Sequence, residues 1–226
     1  MSNEAEETVG EDALAVLFPE PQGYYKPPAP PSTVSFRRKN QLAKFILPLR
    51  SANYFSPSTL TLRLVGQHSL WGHHLWNAAR VLANYFDSNP ALVCGRKLLE
   101  LGAGGALPSF IGACNMAQKV CGSIYSTDSL VVITDYPDIE LIENIRYNVA
   151  NCGIDKTTQE RIAVEGYLWG SDPDALLAHI DNESKFDVII LSDTVTFYPI
   201  SLLNSHFYRY LIILNIVPLS NLFSSI

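Results

Sequence analysis

Glu100 stands in a short apolar run, Lys97-Leu98-Leu99-Glu100-Leu101, and Gly102-Ala103-Gly104-Gly105-Ala106-Leu107-Pro108 follows it directly. Glycines let a ligand approach the backbone closely, and a helix beginning at Leu107 would turn free N–H groups toward it. Further on, Val131-Val132-Ile133-Thr134-Asp135 is a second apolar run that ends in an acid. An acid placed there holds ribose hydroxyls in nucleotide-binding sheets. Together the two stretches read as a site for a nucleoside-containing cofactor. The glycine turn alone does not choose which one, since dehydrogenases share it. Their G-x-G-x-x-G pattern, however, wants a third glycine where this chain has Leu107. His73-His74 invites a metal reading, but neighbours on a helix point in different directions and no i+4 partner follows. No metal is expected.

The elements that must carry these residues alternate. Leu60, Leu62 and Leu64 alternate with polar residues, which predicts a half-buried strand over Thr59–Val65. Trp71 to Phe86 has helical spacing, with Leu75, Ala79, Leu82 and Phe86 on one stripe. Strands are expected at Leu98–Leu101, Val131–Thr134, Arg161–Gly166 and Phe186–Leu191, the last a nearly continuous apolar run of the kind buried in parallel sheets. Helices are expected at Leu107–Ala117, at Ile139–Asn151 with Gly153 beyond its end, and at Asp172–Ile180 behind Ser171-Asp172-Pro173. Strands alternating with helices predict an open α/β sheet with right-handed crossovers.

The chain has 226 residues, 47% of them hydrophobic, and a net charge of −6. That length suits one domain with a substantial core. The acidic balance argues against nucleic acid as a partner and is compatible with a basic protein or peptide. Cys94, Cys114, Cys121 and Cys152 are scattered, as reduced thiols of a cytoplasmic protein would be. The start shows no signal-peptide pattern, and the apolar stretch near Leu211–Leu219 is broken by Asn215 and Pro218, so no membrane span is expected. Residues 1–31 carry six acids before Lys26 and then four prolines, which reads as a flexible leader to a single domain over 32–226.

Seven blocks in order then match one family. They are Leu70-Trp71-Gly72-His73, Leu98 to Gly104, Leu107-Pro108-Ser109, Thr134-Asp135-Tyr136-Pro137-Asp138, Asn144 to Val149, Gly166-Tyr167-Leu168-Trp169-Gly170 and Leu191-Ser192-Asp193. With these the chain resembles the fungal nicotinamide N-methyltransferase-like enzymes, which methylate elongation factor 1A at its N-terminus and adjacent lysine. The resemblance covers about Phe36 to Val195. It implies a Rossmann-like seven-strand methyltransferase sheet, S-adenosyl-L-methionine as cofactor, elongation factor 1A as partner and a monomer in the cytoplasm. Carried over by residue, Trp71 would pack near the cofactor's methionine side, and Gly102, Ala103 and Gly104 would line it with backbone. Asp135 would hold the ribose, Trp169 would cover the adenine, and Ser192 would sit beside the sulfonium. Aromatic faces suit a cationic sulfonium. Asp193 would either orient the acceptor amine or cap the following helix.

The chain departs from the family's pattern in two places. Gly102 and Asp135 are 33 positions apart, where the dinucleotide layout places the acid about 20 on. The excess falls at Cys121–Leu130, which reads as an insertion. After about Phe197 the resemblance stops, so the domain is expected to be incomplete beyond about 196 and to lack the last strands of the seven. Two further readings therefore accompany the methyltransferase: an inactive product that binds cofactor or partner without turnover, and an NAD-linked oxidoreductase.

Overall fold

The computed structural model describes residues 29–39, 57–116, 130–180, 185–192 and 208–214. Five strands, β3 (Lys97–Leu101), β4 (Leu130–Asp135), β5 (Ile162–Gly166), β6 (Phe186–Ser192) and β7 (Tyr208–Leu214), form a parallel sheet in the order β5-β4-β3-β6-β7. The chain winds outward from β3 to β5, then returns to the other side of β3. Its order is that of the first five strands of a doubly wound sheet. The expected α/β architecture is therefore present. The last of the described strands, β7, occupies Tyr208–Leu214, and the residues that would bear on any further strands lie outside those described.

Side chains alternate across the sheet, and both faces are buried, which is why its strands read as nearly unbroken apolar runs. Leu98, Val131, Ile133, Val188 and Ile190 meet Phe86, Phe110 and Ile145 on one face. Leu99, Leu101, Val132, Ile189 and Leu191 meet Leu176 and Ile180 on the other. The first face is covered by α1 (Asn77–Ser88), α2 (Leu107–Met116) and α3 (Ile139–Asn151), with α1 packed on α2. Two short helices, α4 (Lys156–Gln159) and α5 (Asp174–Leu177), complete the inventory among the described residues, beside a 3₁₀ turn at Pro90–Leu92.

A separate antiparallel pair, β1 (Ser32–Arg37) and β2 (Thr59–Leu64), buries Leu60, Leu62 and Leu64 as their alternation predicts. Its partner strand β1 has no counterpart in the sequence reading. The pair is tied down by polar groups. Arg38 reaches from the end of β1 to Asp87 at 2.7 Å and to Asn115 at 2.7 Å, a buried bridge between α1 and α2. Asn148 of α3 accepts from the Arg63 N–H and donates to the Arg63 carbonyl, both at 2.8 Å, and Asn144 donates to the same carbonyl. The Asn144–Val149 block thus anchors β2 to α3.

Four expectations need correction. The helix predicted from Trp71 begins at Asn77, because Trp71 has φ 60, a left-handed conformation no helix contains. His73 and His74, not being helical, do not diverge. Their ring centroids lie 4.2 Å apart. The helix predicted over Asp172–Ile180 shortens to Asp174–Leu177. Asp172 does accept from the Asp174 N–H, at 3.0 Å, but the chain then tightens into i to i+3 bonds from His179 and Ile180. That turn sends Ile180 into the core while the His179 ring reaches Glu165 at 2.8 Å. Leu130, assigned to the insertion, is the first residue of β4 and pairs with Lys97; residues 117–129 lie outside the described set.

Candidate functional site

Parallel sheets bind ligands beyond the carboxyl ends of their strands, where the winding reverses. Here that place is the crevice between β3 and β6. Glu100 pairs with Ile190 across it, so the residues that follow β3 face Ser192 at the end of β6. The glycine turn fills the β3 side. Gly102, Gly104 and Ala106 have φ 68, 53 and 59, three left-handed residues that fold the chain back on itself before α2. The Ala106 N–H donates to the Ala103 carbonyl at 2.7 Å and closes the turn. Gly105 packs inward, since a Cβ there would lie 3.0 Å from Leu64. Gly104 does the opposite: nothing lies within 4 Å of where its Cβ would be. Its backbone is open to a close approach from outside.

Asp135 ends β4 and is bound to that turn. Its Oδ2 accepts from the Gly104 N–H and its Oδ1 from the Tyr136 N–H, each at 2.7 Å. Burial raises its pKa above the ordinary carboxylate value, and the two N–H donors oppose that rise. The Ala103 N–H is held by Thr134, and the Tyr167 N–H by the Asp135 carbonyl at 2.8 Å, so turn, β4 and the end of β5 form one hydrogen-bonded unit. A carboxylate oxygen accepts more than one hydrogen bond, so Asp135 keeps lone pairs for hydroxyl donors. Open backbone at Gly104 beside a fixed acid suits a nucleoside.

Glu100 behaves differently from the acid it superficially resembles. It is fully buried; the Ser109 N–H donates to Oε2 at 3.2 Å, and Oε1 has no partner. The Ser109 hydroxyl lies against the carboxyl without closing a hydrogen bond of good geometry. Burial raises the pKa to about 8, partly opposed by Ser109, so at neutral pH the group is mostly a neutral acid. Glu100 supports the turn from beneath.

The remaining candidates are distributed around this unit. Ser192 is nearly buried at the tip of β6. Trp71 is exposed on a turn running from His68 to Trp76, which His68 connects to Asp138 at 3.6 Å and Leu75 to Gly105. Trp169 follows β5 and rests against the second core face with Tyr167. Gly102, Ala103, Gly104 and Asp135 are thus joined directly, whereas Trp71 and Trp169 border the unit from different loops. Asp193 lies outside the described residues. Sequence reasoning did not find His68, whose signal is a side chain that accepts from Leu70 N–H in its own turn at 3.2 Å. Among the described residues no group of three metal-binding side chains converges, and no helix is long and apolar enough to cross a membrane.

A family model described as lysine methyltransferase matches residues 56–205 of the chain. The chain is 41% identical over 197 residues to the protein N-terminal and lysine N-methyltransferase EFM7 of Cryptococcus neoformans var. neoformans serotype D, covering 86% of this chain and 57% of that protein. It is 40% identical over 182 residues to the protein of the same description in Schizosaccharomyces pombe, covering 79% of this chain and 61% of that one. The chain therefore spans less than two thirds of the length of these relatives. Among solved structures, a putative SAM-dependent methyltransferase from Streptococcus mutans overlays with a TM-score of 0.39 at 13% identity, covering 58% of this chain and 30% of that one, an overlap too partial to carry an argument.

Proposed function

The chain belongs to the lysine methyltransferase family, and from that premise we propose that it is an S-adenosyl-L-methionine-dependent protein N-methyltransferase. Its acceptors in this reading are the N-terminal amine and adjacent lysine of elongation factor 1A, and it works as a cytoplasmic monomer. The observation that carries the proposal is the hydrogen-bonded unit of Gly104 and Asp135 at the point where the sheet's winding reverses. In a member of this family, that unit is the natural seat of the cofactor's nucleoside. The nicotinamide-linked reading has no support in the family match.

The cofactor, when bound, supplies a methyl group already activated on a sulfonium. Little covalent chemistry is left to the protein, whose work is alignment and exclusion of water. Asp135 holds the ribose hydroxyls, and the backbone of Gly102, Ala103 and Gly104 lines the cofactor. Trp71 packs at the methionine side, Trp169 over the adenine and Ser192 beside the reacting centre. Asp193, next in the chain after Ser192, orients the incoming neutral amine. The acidic balance of the chain favours a basic acceptor segment.

Intact-mass analysis of elongation factor 1A incubated with the chain and isotopically labelled S-adenosyl-L-methionine tests the proposal. Mass increments in single methyl steps on the N-terminal peptide are expected. A chain that binds S-adenosylhomocysteine in calorimetry but methylates nothing would be a cofactor-binding product without turnover. A chain that binds none would overturn the cofactor assignment.

A further inference from the structure

Between β3 and α2 the backbone is left-handed at three places, with φ 68 at Gly102, 53 at Gly104 and 59 at Ala106. Glycine takes that conformation freely, whereas alanine adopts it at a cost in energy. Such a backbone persists only where its surroundings fix it. On the α2 side, Ala106 and Leu107 are fully buried. On the other side the turn rests on the β1–β2 pair. The three atoms nearest to where a Gly105 Cβ would lie belong to Leu64, Leu75 and Leu62, at 3.0, 3.6 and 3.9 Å. Leu64 thus occupies the space of a side chain that Gly105 lacks.

Leu64 can stop the turn only if its own backbone is held, and the neighbouring Arg63 holds it. The Arg63 N–H donates to Asn148 Oδ1 at 2.8 Å, and the Arg63 carbonyl accepts from Asn144 Nδ2 and Asn148 Nδ2 at 2.9 and 2.8 Å. The Arg63 side chain returns to the same helix. Its Nε donates to Asn144 Oδ1 at 2.8 Å, and its guanidinium lies 3.7 Å from the centre of the Tyr147 ring. All of these partners are on α3, whose N-cap Asp138 stands three residues after Asp135. β2 is therefore a brace between two parts of the candidate site: α3, which continues from Asp135, and the glycine turn. The clasp on both backbone groups of Arg63 sits beside the leucine nearest to Gly105.

Resting on the methyltransferase reading above, we propose that Leu64 is a positioning residue for the cofactor: clamped to α3 through Arg63, it holds Gly105 in place and thereby sets Gly104 against Asp135. Cofactor affinity then depends on the combined volume at positions 64 and 105. Truncating Leu64 frees the turn, a methyl added at Gly105 displaces it, and the two changes together restore much of the fit. Leu60 separates this role from plain stability. It is buried like Leu64 and faces the same side of β2, but it lies about 13 Å away along the strand at ~3.3 Å per residue.

The test is calorimetry with S-adenosylhomocysteine on the 226-residue chain and its variants, each first checked by thermal melting. Leu64→Ala and Gly105→Ala should each raise the Kd roughly three- to tenfold. Independent effects would multiply in the double variant to roughly ten- to hundredfold, whereas coupled ones should bring its Kd back to within about threefold of the unaltered chain. Leu60→Ala should lower the melting temperature about as much as Leu64→Ala and leave the Kd unchanged. Leu64→Val makes the same test with a smaller shift in the same direction, should Leu64→Ala fail to fold. An unchanged Kd in the position 64 variants or in Gly105→Ala overturns the assignment. So does a double variant whose losses multiply, or a Leu60→Ala that weakens binding as much as Leu64→Ala. The methyltransferase reading fails by a different result, absence of both S-adenosylhomocysteine binding and methyl transfer in the unaltered chain.

Discussion

Replacing Glu100 by Gln tests whether the support of the glycine turn is a neutral acid. Glu100 is fully buried, with one oxygen on the Ser109 N–H and the other unpartnered, and its pKa is raised to about 8 against an ordinary 4.5. The folded chain therefore holds a proton between those values that the unfolded chain releases. Stability from this group is complete below pH 4.5 and falls as pH rises toward about 8. One pH unit is worth at most about 1.4 kcal/mol, so between pH 5 and 7 the unaltered chain should lose roughly 2 kcal/mol from this source alone. Glutamine is nearly isosteric with the protonated acid and does not titrate. The stability of Glu100→Gln relative to the parent should thus rise by about 2 kcal/mol across that interval, read from urea midpoints at several pH values. Other titrating groups are common to both chains and cancel in the difference. Parallel pH profiles for the two would refute the reasoning and mean that Glu100 is ionised in the fold.

Asp135→Ala should weaken S-adenosylhomocysteine binding tenfold or more in calorimetry, since it removes charge-assisted bonds worth roughly 1.5–3 kcal/mol. It should also lower the melting temperature, because the Gly104 and Tyr136 N–H groups lose their acceptor; an unchanged Kd would sink the ribose assignment. Asn148→Ala leaves the Arg63 N–H without its partner and weakens the hold on the carbonyl, which Asn144 still engages. A loss of about 1–3 kcal/mol in urea unfolding is expected, and a loss near zero would show that β2 is held by apolar packing alone. Asp193→Asn should abolish methyl transfer, scored by intact mass, while S-adenosylhomocysteine affinity stays at the parent's value. Retained transfer would leave Asp193 only a helix cap.

Local chemistry wrote much of this protein into its sequence. The alternation of Leu60, Leu62 and Leu64 and the nearly continuous apolar run at Phe186–Leu191 each report which faces a strand buries, one face for the first and both for the second. The end of the helix Ile139–Asn151 was legible because Gly153 lies beyond it, at φ 102, while the structure shows its start fixed by Asp138, whose side chain accepts from the Glu140 N–H. The glycine turn and Asp135 were legible for a similar reason: an open backbone and a strand-end acid are properties of residue type. Contacts across the chain were not. That Asp135 grips Gly104, 31 residues away, follows from β3 and β4 pairing in a particular register. Trp71 matched a helical stripe by spacing, yet the requirements of Gly72 against Leu141 and Leu75 against Gly105 bend that segment into a left-handed turn. Glu100 looked like a charged motif residue, and only its burial under the closed sheet makes it a neutral one, against the opposing hydrogen bond from Ser109. Spacing encodes which face a residue takes; what it meets there depends on elements distant in sequence, and desolvation acts only once they have closed over it.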